Sequence, residues 1–250
     1  IRSGFFNDAT HLPARVTDEE SETPYMTRRA IQFLEEDDGK KPWLLHLSYI
    51  KPHWPYVAPA PYNDMYSAKD VQNVHRSERE HQDTNHLAKH FQERICARTF
   101  SKEEAREKVI PTYMGLIKQI DDQLGVLFSF MEKKDLMEDT MIVFTSDHGE
   151  YFGDHWMGDK DFFHDPAVKI PLIIADPHPS CNVTRGTVLS KPVQAIDLLP
   201  TFIDYAGGSV PKHIIDGCSL MPLLQGEKVQ WRDYVVSEYD YSQQTFSPKT

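Results

Sequence analysis

A short apolar run that ends in a dense polar turn constrains this chain more than any other feature. Met141 to Thr145, MIVFT, is followed at once by Ser146, Asp147, His148, Gly149 and Glu150. A strand of that β-branched composition reads as internal to a parallel sheet, because both its faces ask for apolar cover. In such sheets ligands gather at the carboxyl ends of the strands, where loops diverge around a crevice. Asp147 and His148 stand at that end and offer one oxygen and one nitrogen to a divalent cation, and Gly149 permits a tight turn beside them. An isolated Asp-His pair is common in solvated turns, so the surroundings have to separate this one. They do: a loop rich in aromatic and acidic residues leads to Lys160, and then IPLIIA at 170–175 supplies a second buried-type strand.

Other segments extend the pattern. WLLHLSYI at 43–50 is a further strand candidate. Apolar residues at Tyr113, Leu116, Ile117, Ile120, Leu124, Leu127, Phe128 and Met131 form one helical stripe and predict a helix over about 109–134. A second helix is expected over about 196–206, and a strand at Tyr234–Ser237. Thr23 with Pro24 opens an earlier helix, and Gly39 stops it. The stretch 67–108 is dense in charge and holds His75, His81, His86 and His90; it reads as a solvated helical insertion rather than a zinc site, since the third ligand and glutamate of a metalloprotease pattern are missing. Asp121 and Asp122 are expected to form salt bridges along their helix. Alternating strands and helices give an α/β class: a mixed, largely parallel sheet flanked by helices, with a small antiparallel portion starting near residue 234.

With these segments in view, the chain resembles the sulfatase branch of the alkaline-phosphatase superfamily, and within it the phosphonate monoester hydrolases, related phosphodiesterases and arylsulfatases. TSDHGE at 145–150, GDH at 153–155, Lys160 and IPLII at 170–174 carry the resemblance, with Asp159 standing where relatives often place glycine directly before the lysine. KPHWPY at 51–56, AIDLLPTFIDYAGG at 195–208 and DGCSLMPLL at 216–224 agree with it. The resemblance implies that Asp147 and His148 are metal ligands and that Lys160 and His53 face the substrate. It also implies one divalent cation, for which manganese, zinc, calcium and magnesium are all compatible with mixed oxygen and nitrogen ligation, and a small anionic ester as substrate. Residues 1–233 then correspond to part of a catalytic domain and 234–250 to the start of a carboxy-terminal portion. Family members can be oligomers, and a homo-oligomer is compatible with the pattern.

Members of this branch hydrolyse through a formylglycine made from the Cys or Ser of a C-x-P-x-R motif. Cys96 begins CARTF, Cys218 begins CSLMP and Cys181 begins CNVTR, so none of the three fits; Cys181 reads as a surface-loop cysteine. The expectation is an interior fragment of a longer enzyme, with the first strand and the nucleophile upstream of Ile1. Three functions stay open: a phosphonate monoester or phosphodiester hydrolase, an arylsulfatase or choline-sulfatase-like enzyme, and a non-catalytic relative that uses the fold as a binding module.

Composition limits partners. A net charge of −11 without a basic stripe argues against nucleic acid and anionic membranes, and no apolar run approaches the roughly 20 residues that span a bilayer. Three widely spaced cysteines argue against a disulfide framework and favour a reducing, cytoplasmic compartment.

Overall fold

The helical stripe between Tyr113 and Met131 becomes one long helix, and Glu22–Glu36, Tyr62–Asp64, Ala68–Asp70 and Ile95–Phe100 are laid against it. The structure, a computed structural model, describes residues 12–211 and 213–238. The chain forms two compact units, one made of residues 1–136 and 149–161, the other of 137–148 and 162–250. Among the described residues no helix is long and apolar enough to cross a membrane.

In the first unit α1 (Glu22–Glu36), α2 (Glu78–Gln82), α3 (His86–Gln92) and α4 (Ile95–Phe100) precede the long helix α5 (Glu103–Lys133). The N-cap of α1 is Ser21 rather than Thr23, with Pro24 still in the first turn. Helix α5 starts well before the expected residue 109 and runs through Pro111. Proline inside a helix forfeits a backbone hydrogen bond and costs about 3 kcal/mol, so packing must hold that turn. Arg106 braces the helix's first turn: buried, it donates to both oxygens of Glu103 (2.6 and 2.8 Å), to the Phe152 carbonyl (2.8 Å) and to the Gln72 carbonyl (3.1 Å). Further along, Gly115 admits the single turn Tyr62–Asp64, for a Cβ there would meet the Tyr62 carbonyl oxygen at 2.1 Å. Buried Gln119 donates to Asp18 (2.6 Å) and Ser21 (2.8 Å), tying the start of α1 to α5. Asp121 and Asp122 both pair with Lys118, as expected.

The polar stretch 67–108 is helical but not solvated throughout, because Phe91, Cys96, Ala97 and Phe100 are buried in it. Cys96 and Phe100 join Tyr56, Val109 and Phe152 in the main core of this unit. Residues 43–50 are extended but pair in no ladder. One side of the run meets α1, with Trp43 edge-on to Phe33 and Tyr49 bonded to Thr27 at 2.8 Å. The other is open, with Leu44 76% and Ile50 64% exposed.

The second unit contains β1 (Ile142–Thr145), α6 (Asp165–Val168), β2 (Leu172–Ala175), α7 (Leu198–Tyr205) and α8 (Met221–Leu224). Strands β1 and β2 pair antiparallel, Ile142 opposite Ala175 and Thr145 opposite Leu172. The largely parallel part of the expected mixed sheet is not confirmed: among the described residues the sheet has two strands, and Phe144 and Ile173 stay exposed instead of being covered on both faces. Apolar composition identified the strands but carries no information on their relative direction. Tyr234–Ser237 forms no strand, and the rest of the expected carboxy-terminal portion, from 239 onward, lies outside the described residues.

Two late motifs turn out to be a structural clasp. Asp197, fully buried, accepts from the Gln194 amide (2.8 Å), the Cys218 amide (2.9 Å) and the Arg232 guanidinium (2.6 Å). Thr201 donates to the Asp197 carbonyl (2.6 Å) and accepts from the Leu220 amide (2.8 Å). Gly217 lets the strap pass, since a Cβ would lie 2.1 Å from the Ile196 carbonyl oxygen.

Candidate active site

The turn after β1 presents Asp147 and His148 where the sequence places them. Thr145 anchors the strand's end by donating to the Pro171 carbonyl (2.8 Å), and Ser146 donates to the His148 carbonyl (3.1 Å). Asp147 is exposed and caps its neighbour, Oδ1 accepting the His148 amide at 3.0 Å. Its Oδ2 lies 3.4 Å from Nε2 of His148. Two ligands each about 2.0–2.2 Å from one cation sit roughly 3–3.6 Å apart, so the carboxylate–imidazole pair fits a shared divalent ion.

His53 and Lys160 belong to the other unit. His53 is half-buried in a turn closed by its own amide on the Ile50 carbonyl (3.1 Å) and by Lys51, whose ammonium donates to the Pro55 carbonyl (2.8 Å). Burial lowers the pKa of that ammonium, partly offset by the charge of Glu22. Nδ1 of His53 is 2.8 Å from the Trp54 carbonyl oxygen, which can only accept, so Nδ1 carries the proton and Nε2 is left for other chemistry. Lys160 is exposed at the end of the loop that begins at Gly149. Of the four expected site residues, the structure thus brings Asp147 and His148 side by side and holds His53 and Lys160 in their own settings.

Two groups went unassigned in the sequence. Glu150, directly after the Asp-His-Gly turn, accepts from Tyr56 Oη (3.0 Å) through one oxygen and from the Tyr151 amide (3.0 Å) through the other. Burial of the carboxyl, then the charge of Asp159, pushes its pKa up to about 7. Tyr56 packs among Phe100, Tyr113 and Phe152, and burial followed by the Glu150 charge raises its phenol. This bond links the His53 turn to the loop that ends in Lys160. The position of Glu150 in TSDHGE was the available signal; nothing in the sequence pointed to its partner.

None of the cysteines is placed as a nucleophile. Cys181 is buried, not on a surface loop, and its thiol donates to Asp176 at 3.2 Å; burial and that carboxylate raise its pKa. Cys96 is buried and pushed up to about 11 by desolvation. Cys218 is exposed within the clasp strap.

The chain is similar to known proteins along most of its length. The sulfatase family model matches residues 6–209. The multifunctional alkaline phosphatase superfamily protein PehA of Trinickia caryophylli is 36% identical over 247 residues, covering 93% of this chain and 47% of that protein. An arylsulfatase of Clostridium perfringens is 28% identical over 229 residues, covering 88% and 45%. Among solved structures, the phosphonate monoester hydrolase of Agrobacterium radiobacter superposes with a TM-score of 0.80 at 32% identity, covering 90% of this chain and 46% of that one. The chain therefore spans about half the length of the relatives it matches.

Proposed function

The chain belongs to the sulfatase family, and from that premise we propose that it carries part of the active site of a metal-dependent hydrolase of phosphonate monoesters or phosphodiesters. The observation that carries this reading is the Asp147–His148 pair at the end of β1, with its donor atoms 3.4 Å apart. Asp147 and His148 hold one divalent cation, with manganese, zinc, calcium or magnesium as candidates. Bound there, such an ion supplies positive charge that orients a nucleophile and screens the oxygens of the ester. Lys160 donates to a non-bridging or leaving oxygen, whose charge grows as the bond breaks. His53, with Nδ1 committed to the Trp54 carbonyl, offers Nε2 to the leaving group as a hydrogen-bond donor or general acid. The nucleophile is of the formylglycine type and is none of Cys96, Cys181 or Cys218, in keeping with the burial of the first two and the strap position of the third.

A second reading is a sulfuric ester hydrolase of the arylsulfatase or choline-sulfatase kind, favoured by the arylsulfatase match along 88% of the chain. Full-length protein assayed on aryl phosphonate, phosphodiester and sulfate substrates separates the two. Metal content and turnover of Asp147→Asn and His148→Ala test the ion: both quantities should drop together, and undiminished metal with undiminished rate rejects the assignment. Lys160→Ala and His53→Ala should lose more rate on poor leaving groups than on activated aryl esters. Equal losses across leaving groups remove the leaving-group roles.

A further inference from the structure

Lys160 is flanked by residues that α4 and its N-cap hold in place. On one side Gly158 lies against the first turn of α4, where a Cβ would come 2.8 Å from the carbonyl carbon of Cys96 and 3.0 Å from the Ala97 amide nitrogen. The Cys96 thiol donates to the Gly158 carbonyl at 3.7 Å. On the other side Asp161, its side chain 16% exposed, forms an ion pair with Arg94, the N-cap residue of α4. Between these anchors and just before them, Phe152, His155, Trp156 and Asp159 take left-handed backbone conformations, with φ of 45, 54, 59 and 68°. Such residues cost of order 1–3 kcal/mol each and persist only where the surroundings over-determine them. Here the surroundings are the stretch 67–108: Glu80 bonds to His155 Nδ1 (2.6 Å), the Ser77 carbonyl accepts from Trp156 Nε1 (2.8 Å), and Arg76 lies 4.3 Å over the Trp156 ring.

We propose that Arg94 and Asp161 are positioning residues that fix the backbone on which Lys160 is presented, so that the polar stretch 67–108 sets how well the lysine meets the ester. This deepens the hydrolase reading above and rests on it. The ion pair stands one residue from Lys160, and an ångström of misplacement in a reacting group can cost up to about a hundredfold in rate.

The test is a double-mutant cycle in the full-length enzyme, with Arg94→Gln, Asp161→Asn and Arg94→Lys each made with and without Lys160→Ala, read as kcat and KM on a phosphodiester with a poor leaving group. Arg94→Gln and Asp161→Asn should lower kcat by about tenfold or more with KM little changed, and Arg94→Lys should recover part of the loss, in line with the cost of misplacing a reacting group. In the Lys160→Ala background the same substitutions should change the rate by less than about twofold, the scatter within which effects are ordinarily found to add. Should Arg94→Gln prove unfolded by its thermal midpoint, Asp161→Asn runs the same cycle from the partner side. An equal loss with and without Lys160, or no loss while Lys160→Ala is impaired, overturns the positioning role alone. A full rate in Lys160→Ala instead removes the role of Lys160 and this inference with it.

Discussion

Asp197 illustrates how one buried carboxylate organises a stretch of chain. It is fully enclosed, and with Gln194, Cys218 and Arg232 as donors it fastens the strap at 216–220 to the start of α7. Removing one member of a buried pair leaves the other charge uncompensated, so Asp197→Ala should cost about 3–5 kcal/mol in urea unfolding. A loss below about 1 kcal/mol, the range of exposed pairs, would show that the clasp contributes little. The cysteines give a second prediction at this scale. The thiolate is the reactive form, and burial keeps Cys96 and Cys181 protonated while Cys218 stands exposed. One equivalent of thiol should react with a disulfide reagent in the native protein and three after denaturation. Asp147 and His148 stand side by side as the sequence alone dictates, because neighbours in the chain need no fold to bring them together. Tyr56–Glu150, Arg94–Asp161 and Asp197–Arg232 were not, since they join residues separated by 94, 67 and 35 positions and no local pattern marks either end.

At the level of elements, periodicity predicted what it physically controls. The stripe of α5 and the apolar runs of β1 and β2 appear where the sequence puts them; the stripe buries one face of its helix, while both strands keep exposed residues. The start of α5 was misplaced because the apolar stripe begins only after residues 103–108, which are mostly polar, whereas Arg106 and its partners carry the helix back to Glu103. The antiparallel sense of the β1–β2 pair was not legible for a different reason: pairing sense depends on connections and neighbours, which composition does not encode. The approach of the Tyr62 turn to α5 gives the test at this scale. Gly115→Ala places a methyl 2.1 Å from a backbone oxygen, and the shift required should cost about 1–3 kcal/mol. Gly125→Ala on the same helix, where an added Cβ meets nothing within 4 Å, should instead stabilise by up to about 1 kcal/mol. The pair of variants separates crowding from helix propensity.

For the molecule as a whole, the interleaving of its two units is the governing feature. The first unit takes Tyr151 and Phe152 from a segment that follows β1 in the chain, and Phe152 packs directly on Tyr56, Phe100 and Tyr113. A fragment ending at residue 136 lacks those rings and the carbonyl that receives Arg106. Expressed alone, it should show non-cooperative thermal unfolding and bind a hydrophobic dye, whereas a chain running to 161 or beyond should melt in a cooperative transition; cooperative melting of the short fragment would contradict this. The polypeptide changes unit at 136/137, 148/149 and 161/162. Neither half can be swapped into a cousin as a cassette without severing the run from Asp147 to Lys160, so recombination within this lineage should find its tolerated crossovers elsewhere.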